Sequence, residues 1–430
     1  MTTRKRLMNG PSRRTVIKGM GVAVAASAIA MPWVARAAGT IKVGVVSPGS
    51  GPMALFGDAD GWTIDGVRKL VADGIDTAAG KYNVEIIVKD SQSDPNKAAE
   101  VAGDLILNEG VHIILPTATT DTVSNTMDQA ELNQCPCISS GAPWQAVIFP
   151  RGGDKKPFDW TYHFFWGLGE VLATYVGLWN SVETNKKVGM LFPQNADGET
   201  WGNDGYGLPA PTKKAGYSVT IPGYFQPLTN DFSSQITAFK SGGCDIVGGI
   251  TNPPDIKTFV NQCAQQGYKP KVMTIAAALL FPGGLEAMGE LGDGMSTEVW
   301  WTPAFPFKST LTGEVSRQIA DKWEADQKRQ WTQPIGYQHA NWEVVIDILK
   351  RSKNPLDRTA NRDAMAATKM TTLIGPIDFS KGPHKNVSTT PIFGGQWVKG
   401  EKWKYDLKIV DNTVFDLIKP EAKLKFLPWA

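Results

Sequence analysis

The stretch VEIIVKDSQSDPNKAAEVAGDLILNEGVHIIL, residues 84–115, decides the fold. Residues 84–88 form a predicted strand, and Asp94 followed by Pro95 supplies an N-cap and a first-turn proline for a helix over residues 96–108. Gly110 ends that helix, and residues 111–115 form an apolar strand. An apolar run of this length is typical of a parallel sheet covered on both faces. The stretch therefore predicts a βαβ unit.

Strands and helices alternate in the same way on both sides of this unit. In the first block we predict strands at residues 41–47, 84–88, 111–115 and 136–139, and helices at 59–73, 96–108 and 121–132. In the second block we predict strands at 187–192, 245–247 and 272–275, and helices at 232–240 and 255–266. A further helix ends near Arg351, and a hairpin joins residues 396–398 to 407–410. The pattern predicts the α/β class, with two lobes that each contain a doubly wound parallel sheet.

Residues 1–37 have the order of an export signal. Arg13 and Arg14 precede the charge-free residues 19–34, and Ala35-Arg36-Ala37 has the small residues of a cleavage site. This apolar run is shorter than the ~20 residues that a membrane-spanning helix needs. The paired arginines, with Lys18 behind them, resemble a twin-arginine (Tat) signal. We therefore predict cleavage after Ala37 and a mature chain that works outside the cytoplasm.

Removing this signal changes the charge of the protein. The whole chain has a net charge of +2, but residues 1–37 hold seven of its 44 basic residues and none of its 42 acidic ones, which leaves the mature chain at −5. A mildly acidic protein is not expected to bind nucleic acid. Its cysteines, Cys135, Cys137, Cys244 and Cys263, lack the spacing of a metal site, so we predict buried thiols, no metal and no cofactor. Pairing of Cys244 with Cys263 stays open.

Several segments, in order along the mature chain, resemble the leucine/isoleucine/valine-type periplasmic binding proteins. They are GPMALFGD at residues 51–58, DSQSDP at 90–95, NDFSSQI at 230–236, GCDIV at 243–247 and GPIDF at 375–379. The resemblance implies a type I periplasmic binding protein fold, in which three crossovers join two lobes. It also implies the periplasmic solute-binding component of an ABC importer, which closes on a small ligand and is recognised by a membrane permease.

The resemblance further implies the lobe boundaries and the ligand contacts. Lobe 1 would comprise residues 40–162 and 302–372, and lobe 2 residues 165–298 and 375–430. The implied contacts, together with tryptophans on loops at predicted strand ends, are Phe56, Ala118, Thr119, Thr120, Ser140, Gly141, Ala142, Trp144, Trp166, Trp201, Thr251 and Asn252. For the two threonines, capping of the helix at residue 121 is an alternative that is compatible with ligand contact. For each tryptophan the alternative is a place in the core. Of Trp300 and Trp301, one should face the cleft or hinge and the other the interior.

One departure from the family bears on the ligand. Family members that bind amino acids carry an acidic residue after the strand that matches residues 272–275, where this chain has Ala276-Ala277-Ala278-Leu279-Leu280. A buried ammonium without a carboxylate is costly. Glu298 is an alternative source of that carboxylate, with a solvated or hinge position equally open. We therefore favour a small carboxylate, an amide or an aromatic acid over a free amino acid.

Two other functions compete with transport. The first is a Tat-exported enzyme, but no Walker loop, G-x-S-x-G or H-E-x-x-H motif occurs, so we predict that the protein is not an enzyme. His112 falls in a predicted buried strand, whereas His163 and His339 lie where either could reach the cleft. The second is a sensory binding protein that reports to a membrane receptor through the same cleft. We expect a periplasmic monomer.

Overall fold

The computed structural model describes residues 37–430, so the predicted export signal lies outside the described residues apart from Ala37. Within this range the strands are β1 (Thr40–Ser47), β2 (Ile75–Thr77), β3 (Gly80–Asp90), β4 (Ile113–Pro116), β5 (Cys137–Ser139), β6 (Thr161–Phe164), β7 (Lys187–Leu191), β8 (Ser218–Thr220), β9 (Ile246–Thr251), β10 (Val272–Ala277), β11 (Ser296–Val299), β12 (Lys369–Thr372), β13 (Gly375–Asp378), β14 (Val387–Ser388), β15 (Phe393–Lys399) and β16 (Tyr405–Asp411). The α-helices are α1 (Asp60–Leu70), α2 (Pro95–Leu107), α3 (Thr120–Leu132), α4 (Trp144–Ile148), α5 (Leu168–Asn180), α6 (Ala196–Trp201), α7 (Pro209–Lys214), α8 (Ser233–Gly242), α9 (Pro253–Gln265), α10 (Pro282–Ala287), α11 (Ser316–Gln327), α12 (Pro334–Arg351) and α13 (Arg358–Ala366). None of these helices has the length and apolar character needed to cross a membrane.

The first sheet has the order β14-β6-β5-β4-β1-β3-β2 and is parallel except for the hairpin of β2 and β3. The predicted βαβ unit is confirmed as β3, α2 and β4. Strand β1 lies between its two strands, so that Val43 is in register with both Ile86 and Ile113. Asp94 caps α2 by accepting a hydrogen bond from the backbone N–H of Lys97, and Pro95 begins the helix.

The second sheet has the order β16-β15-β11-β10-β9-β7-β8. Strands β7 to β11 are parallel, and the predicted hairpin is confirmed in the antiparallel pair of β15 and β16. Strands β9 and β10 are buried along their whole length, as expected for the centre of a sheet with helices on both faces. The predicted fold of two α/β lobes with mostly parallel sheets is confirmed.

Within residues 37–430, the chain passes between the two sheets three times: after β6, after β11 and after β14. The last passage differs from the prediction. Val387 and Ser388 pair in parallel with His163 and Phe164 of β6, so this part of the predicted range 375–430 belongs to the first sheet. The predicted boundary at residues 372–375 falls in the antiparallel pair of β12 and β13, and β12 contacts α12. The chain therefore leaves the first sheet only after β14, and residues 389–392 form the third crossover.

All four cysteines are buried free thiols, so Cys244 and Cys263 do not pair. Burial raises the pKa of the Cys135 thiol to about 12 and raises that of Cys263 further. A thiol that stays protonated is a poor nucleophile and a poor metal ligand. The described residues also contain no cluster of three or more His, Cys, Asp or Glu arranged to hold a metal ion.

Candidate functional site

A cavity of about 30 Å³ lies between the two lobes, where the carboxyl ends of both sheets meet. The parallel strands β6, β9 and β10 end at this cavity, and β11, which also pairs antiparallel with β15, contributes Glu298. Ligands bind at such strand ends in open α/β folds. The lining residues are Met53, Phe56, Thr119, Thr120, Gly141, Pro143, Phe165, Trp166, Asp197, Trp201, Ile250, Ala277, Glu298 and Trp300.

Lobe 1 contributes the N-terminus of α3 to this cavity. Thr119 is the N-cap, and its hydroxyl accepts a hydrogen bond from the backbone N–H of Thr122. Its φ of 66° is unusual for a β-branched residue, and such backbone strain tends to occur at binding sites. Gly141, at φ +78°, lies beside this turn, where a Cβ atom would come within 3.0 Å of the Ala118 Cα. The turn therefore combines a helix N-terminus with hydroxyl groups, an arrangement suited to a ligand oxygen.

Lobe 2 contributes a buried carboxyl group, that of Glu298 on β11. This side chain is 0% exposed. One oxygen accepts the backbone N–H of Ala277 at 3.1 Å, and the other accepts the hydroxyls of Tyr175 at 2.8 Å and Thr297 at 3.0 Å. Burial raises the pKa of Glu298 to about 7, although these three donors oppose the shift. Glu298 is therefore neither solvated nor only a hinge residue, because it lines the cavity.

Asp197, at the start of α6, is the second carboxyl group of the cavity. Burial and the nearby Asp121 of α3 raise its pKa to about 7, while the Thr120 hydroxyl lowers it. Asp121 and Thr120 belong to lobe 1 and Asp197 to lobe 2, so these groups meet across the cleft. Asp197 keeps part of its surface exposed to solvent, in contrast to the fully buried Glu298.

Aromatic rings form most of the remaining wall. Trp166 lies edge-to-face with Trp201, with ring centroids 6.1 Å apart, and with Trp300 at 5.8 Å. Phe56 crosses from lobe 1 to contact Phe281 of lobe 2, with centroids 4.8 Å apart. The indole Nε1 atoms of Trp166, Trp201 and Trp300 are buried, and no acceptor within residues 37–430 pairs with them. Buried donors of this kind are normally satisfied, so a ligand acceptor is a natural partner.

The structure brings together half of the residues predicted to contact a ligand. Phe56, Thr119, Thr120, Gly141, Trp166 and Trp201 line the cavity. Trp300 also lines it while Trp301 is buried against Trp331, as the period of two in a strand predicts.

The other six predicted residues lie behind the cavity wall. Ala118 packs behind Gly141, and the Ser140 hydroxyl donates to Asn341. Ala142 accepts a hydrogen bond from the His163 ring, Trp144 packs against Phe149, Thr251 ends β9 as a buried residue, and Asn252 caps α9. Five of the six follow a strand and Thr251 ends one, but none of them lines the cavity.

Sequence reasoning missed six lining residues: Met53, Pro143, Phe165, Asp197, Ile250 and Ala277. Four of these residues lie in or next to segments that the sequence analysis had already selected: Met53, Pro143, Phe165 and Ala277. Their position close to a strand end could have indicated that they line the cavity. Asp197 had a different signal, because Asn195-Ala196-Asp197 after an apolar strand is a helix-capping pattern at the correct end of the sheet.

Neither of the two histidines considered for the cleft lines it. His163 is buried, with one ring nitrogen 2.9 Å from the Ser139 hydroxyl and the other 2.9 Å from the Ala142 carbonyl oxygen. His339 is buried on α12 and pairs with the Ser309 hydroxyl at 2.6 Å. Burial lowers the pKa of each ring to about 4, so both are neutral at pH 7. Each ring instead holds nearby groups in place: Ser139 and the Ala142 carbonyl in one case, and Ser309 in the other.

A third buried carboxyl group, Asp60 of α1, supports the lobe 1 side of the cavity. It accepts hydrogen bonds from the hydroxyls of Ser47, at the end of β1, and Thr117, just before the cavity turn. Burial raises the pKa of Asp60 to about 7, against 3.8 for an ordinary aspartate, although both hydroxyls lower it. Between these two pKa values the folded protein binds this proton more tightly than the unfolded chain, so its contribution to stability falls as pH rises from about 4 to about 7.

We expect the free energy of unfolding to decrease from pH 5 to pH 8, since Asp197 and Glu298 act in the same direction. Asp60→Asn should reduce that decrease, because an amide does not titrate. Urea denaturation of both proteins at pH 5 and pH 8 measures the effect, with Asp65→Asn on the exposed face of α1 as the control. An unchanged pH dependence in Asp60→Asn would contradict the assignment.

Comparisons with known proteins identify the type of molecule that carries such a site. The family described as periplasmic binding protein matches residues 40–402. The Leu/Ile/Val-binding protein homolog 7 of Brucella abortus (strain 2308) is 22% identical over 387 residues, which cover 85% of this chain and 91% of that protein.

Two solved structures share the fold. The branched-chain amino acid transporter substrate-binding protein LivJ from Streptococcus pneumoniae, in complex with isoleucine, has a TM-score of 0.66 at 17% identity and covers 86% of this chain and 99% of its own. A solute-binding protein of an ABC transporter from Rhodopseudomonas palustris BisB5, in complex with 3,4-dihydroxybenzoic acid, has a TM-score of 0.68 at 20% identity and covers 89% and 99%.

Proposed function

Because this chain belongs to the periplasmic binding protein family, we propose that it captures a small organic solute between its two lobes and delivers it to the permease of an ABC importer. The observation that carries the proposal is the cavity formed jointly by the strand ends of both sheets. A ligand there contacts both lobes only when they are closed, so binding favours the closed state. The closed state is what a permease would recognise.

Six residues are proposed to contact the solute from both sides: Phe56, Thr119, Thr120, Gly141, Trp166 and Trp201. The Thr119 turn offers hydroxyls and a helix N-terminus to a ligand oxygen. The tryptophans supply apolar surface and indole N–H donors. The two serine–histidine pairs among the described residues, Ser139 with His163 and Ser309 with His339, lie outside the cavity. The described residues that line the cavity include no Ser, Cys, His or Lys, which favours binding without chemical conversion.

The sequence favours a small carboxylate, an amide or an aromatic acid as the ligand, with an amino acid as the alternative. The segment after β10 has no acidic residue that could pair with the ammonium group of a free amino acid. Glu298 and Asp197 provide carboxyl groups from β11 and α6 instead. An amino group is therefore compatible with this site. We further propose that residues 1–37 direct export by the Tat route and that the mature protein works as a monomer in the periplasm.

A thermal-shift screen of the mature protein tests the proposed function. We expect the true solute to raise the melting temperature, since a ligand at 100 times its Kd adds about 2.7 kcal/mol to the free energy of unfolding. The panel should contain amino acids, amides, urea-like compounds and aromatic acids. The solute should also reduce the radius of gyration in small-angle X-ray scattering and be recovered unchanged. Binding without any closure of the lobes would contradict the mechanism, and consumption of the solute would point to an enzyme.

A further inference from the structure

The cavity walls carry acidic groups without any basic partner. Among residues 37–430, the side chains that line the cavity include the carboxyl groups of Asp197 and Glu298 and no Lys, Arg or His. The remaining lining groups are aromatic, aliphatic or hydroxyl side chains and backbone. Glu298 is fully buried and Asp197 is partly exposed. A buried negative charge is costly unless it is paired.

The immediate surroundings of each carboxyl group do not supply that pairing. Glu298 accepts hydrogen bonds from Ala277, Tyr175 and Thr297, all of which are neutral donors. Asp197 faces the Thr120 hydroxyl and the carboxyl group of Asp121, which makes its environment more negative. Neither group takes part in an ion pair within the described part of the chain. Without a ligand each group is eased by taking up a proton, since its pKa is raised to about 7. A cationic ligand would complement the ionised form of both.

We propose that the solute is a small organic cation, whose positively charged nitrogen is held between Glu298 and Asp197. This inference rests on the proposed function and adds the chemical class of the ligand. A cationic nitrogen with several N–H donors, as in an ammonium or amidinium group, would donate to carboxylates from β11 and α6 at once. Both carboxyl groups belong to lobe 2, and Thr120 of lobe 1 faces Asp197 across the cleft. The other part of the solute would therefore contact lobe 1, at the N-terminus of α3.

The aromatic residues of the cavity favour the same class. Trp166, Trp201 and Trp300 lie within the wall that surrounds the two carboxyl groups. Aromatic rings attract cations through their quadrupole, and tryptophan does so most strongly. An anionic solute would be stabilised only by the N-terminus of α3 and the indole N–H groups. It would be repelled by the two acidic groups at the other end of the cavity.

A set of compounds with one shape and three charges tests this proposal. Acetamidinium, acetamide and acetate have nearly the same size, as do benzamidinium, benzamide and benzoate for a larger ligand, and isoleucine provides a zwitterion. Titration at pH 7.5, followed by the fluorescence of the cavity tryptophans, gives their affinities for the mature protein. We expect an amidinium to bind at least about tenfold more tightly than its amide and its carboxylate, a difference of about 1.4 kcal/mol.

Two results would overturn the proposal: an amide equal to its amidinium, or a carboxylate or isoleucine that binds more tightly than every cation. Either result leaves the proposed function intact if the compound closes the lobes in solution scattering. If a compound binds and the lobes do not close, the proposed function fails instead. The two failures are therefore separable in the same set of samples.

Charge-neutral variants locate the preference in the cavity. Glu298→Gln and Asp197→Asn keep the shape of each side chain, and each should reduce the ratio of amidinium to amide affinity at least about tenfold. A general loss of structure would weaken both compounds alike and leave the ratio unchanged. Glu343→Gln is the matched control, because Glu343 is a buried carboxyl group on α12 that accepts backbone N–H groups of Thr310 and Leu373 outside the cavity. A wild-type ratio in both cavity variants would contradict the assignment of the cation site.

Discussion

Gly198→Ala is expected to abolish ligand binding and to cost about 3 kcal/mol of unfolding free energy, the upper range for an overpacked site. Gly198 lies in the middle of α6, between Asp197 and Trp201, and its N–H donates to the Oδ1 of the N-cap Asn195. A Cβ atom there would lie 1.7 Å from the carbonyl oxygen of Pro193. Since that neighbour is backbone, α6 has to move away from β7, and both cavity residues move with it.

Gly169→Ala is the matched control for this substitution. Gly169 is exposed in the first turn of α5, and a Cβ atom there would have no neighbour within 4 Å. Alanine is favoured over glycine in a helix by about 0.5–1 kcal/mol, so this variant should be as stable as the wild type or slightly more stable. Calorimetry with and without ligand compares the two. Wild-type binding by Gly198→Ala would show that α6 does not carry part of the site.

Phe56→Ala is expected to weaken solute binding about a hundredfold by favouring the open state, a change of about 2.7 kcal/mol. Phe56 is held in the short turn Ala54–Phe56 of lobe 1 and is 3% exposed. Its ring meets Phe281 edge-to-face and lies 6.1 Å from Trp300. Apolar burial of one large side chain and an aromatic pair contribute about 2–4 kcal/mol together, and the open state loses both contributions.

The control for Phe56→Ala is an aromatic residue within one lobe. Phe259 of α9 packs against Phe232 inside lobe 2, so Phe259→Ala should lower the stability of that lobe without changing the balance between open and closed forms. Solution scattering with saturating ligand distinguishes the two cases. A fully closed Phe56→Ala protein with wild-type affinity would show that this ring is not a contact on which closure depends.

The sequence pattern predicted the core of the fold well because the rule behind it is local. Apolar runs such as residues 111–115 alternate with capped amphipathic helices, and the central strands β1, β4, β9 and β10 follow from that alternation. The short strands β2, β8 and β14 were not predicted, whereas the similarly short β5 was. Strand β14 is two residues long, and its place beside β6 depends on a contact between residues more than 200 positions apart in the chain.

The candidate site was predicted in part for a related reason. Loops after strands were correctly associated with the cavity, and Thr119, Gly141 and Trp201 lie there. The place of Glu298 was harder to predict. Its strand, Ser296–Val299, has the composition of an exposed polar segment, yet all four residues are buried. The group that stabilises Glu298 includes Tyr175, 123 residues away. Hydrophobic periodicity indicates which apolar side chains form the core, but it does not indicate which polar side chains are buried beside them.

The place of β14 has a consequence for how the protein is made. The first sheet begins with Thr40, but its edge is completed by Val387 and Ser388, and α12 covers part of it from residues 334–351. A nascent polypeptide therefore leaves the ribosome with lobe 1 unfinished through most of translation. The sheet of lobe 2 is likewise incomplete until its last two strands, β15 and β16, have been synthesised. Both lobes therefore reach their native form only when synthesis is nearly complete.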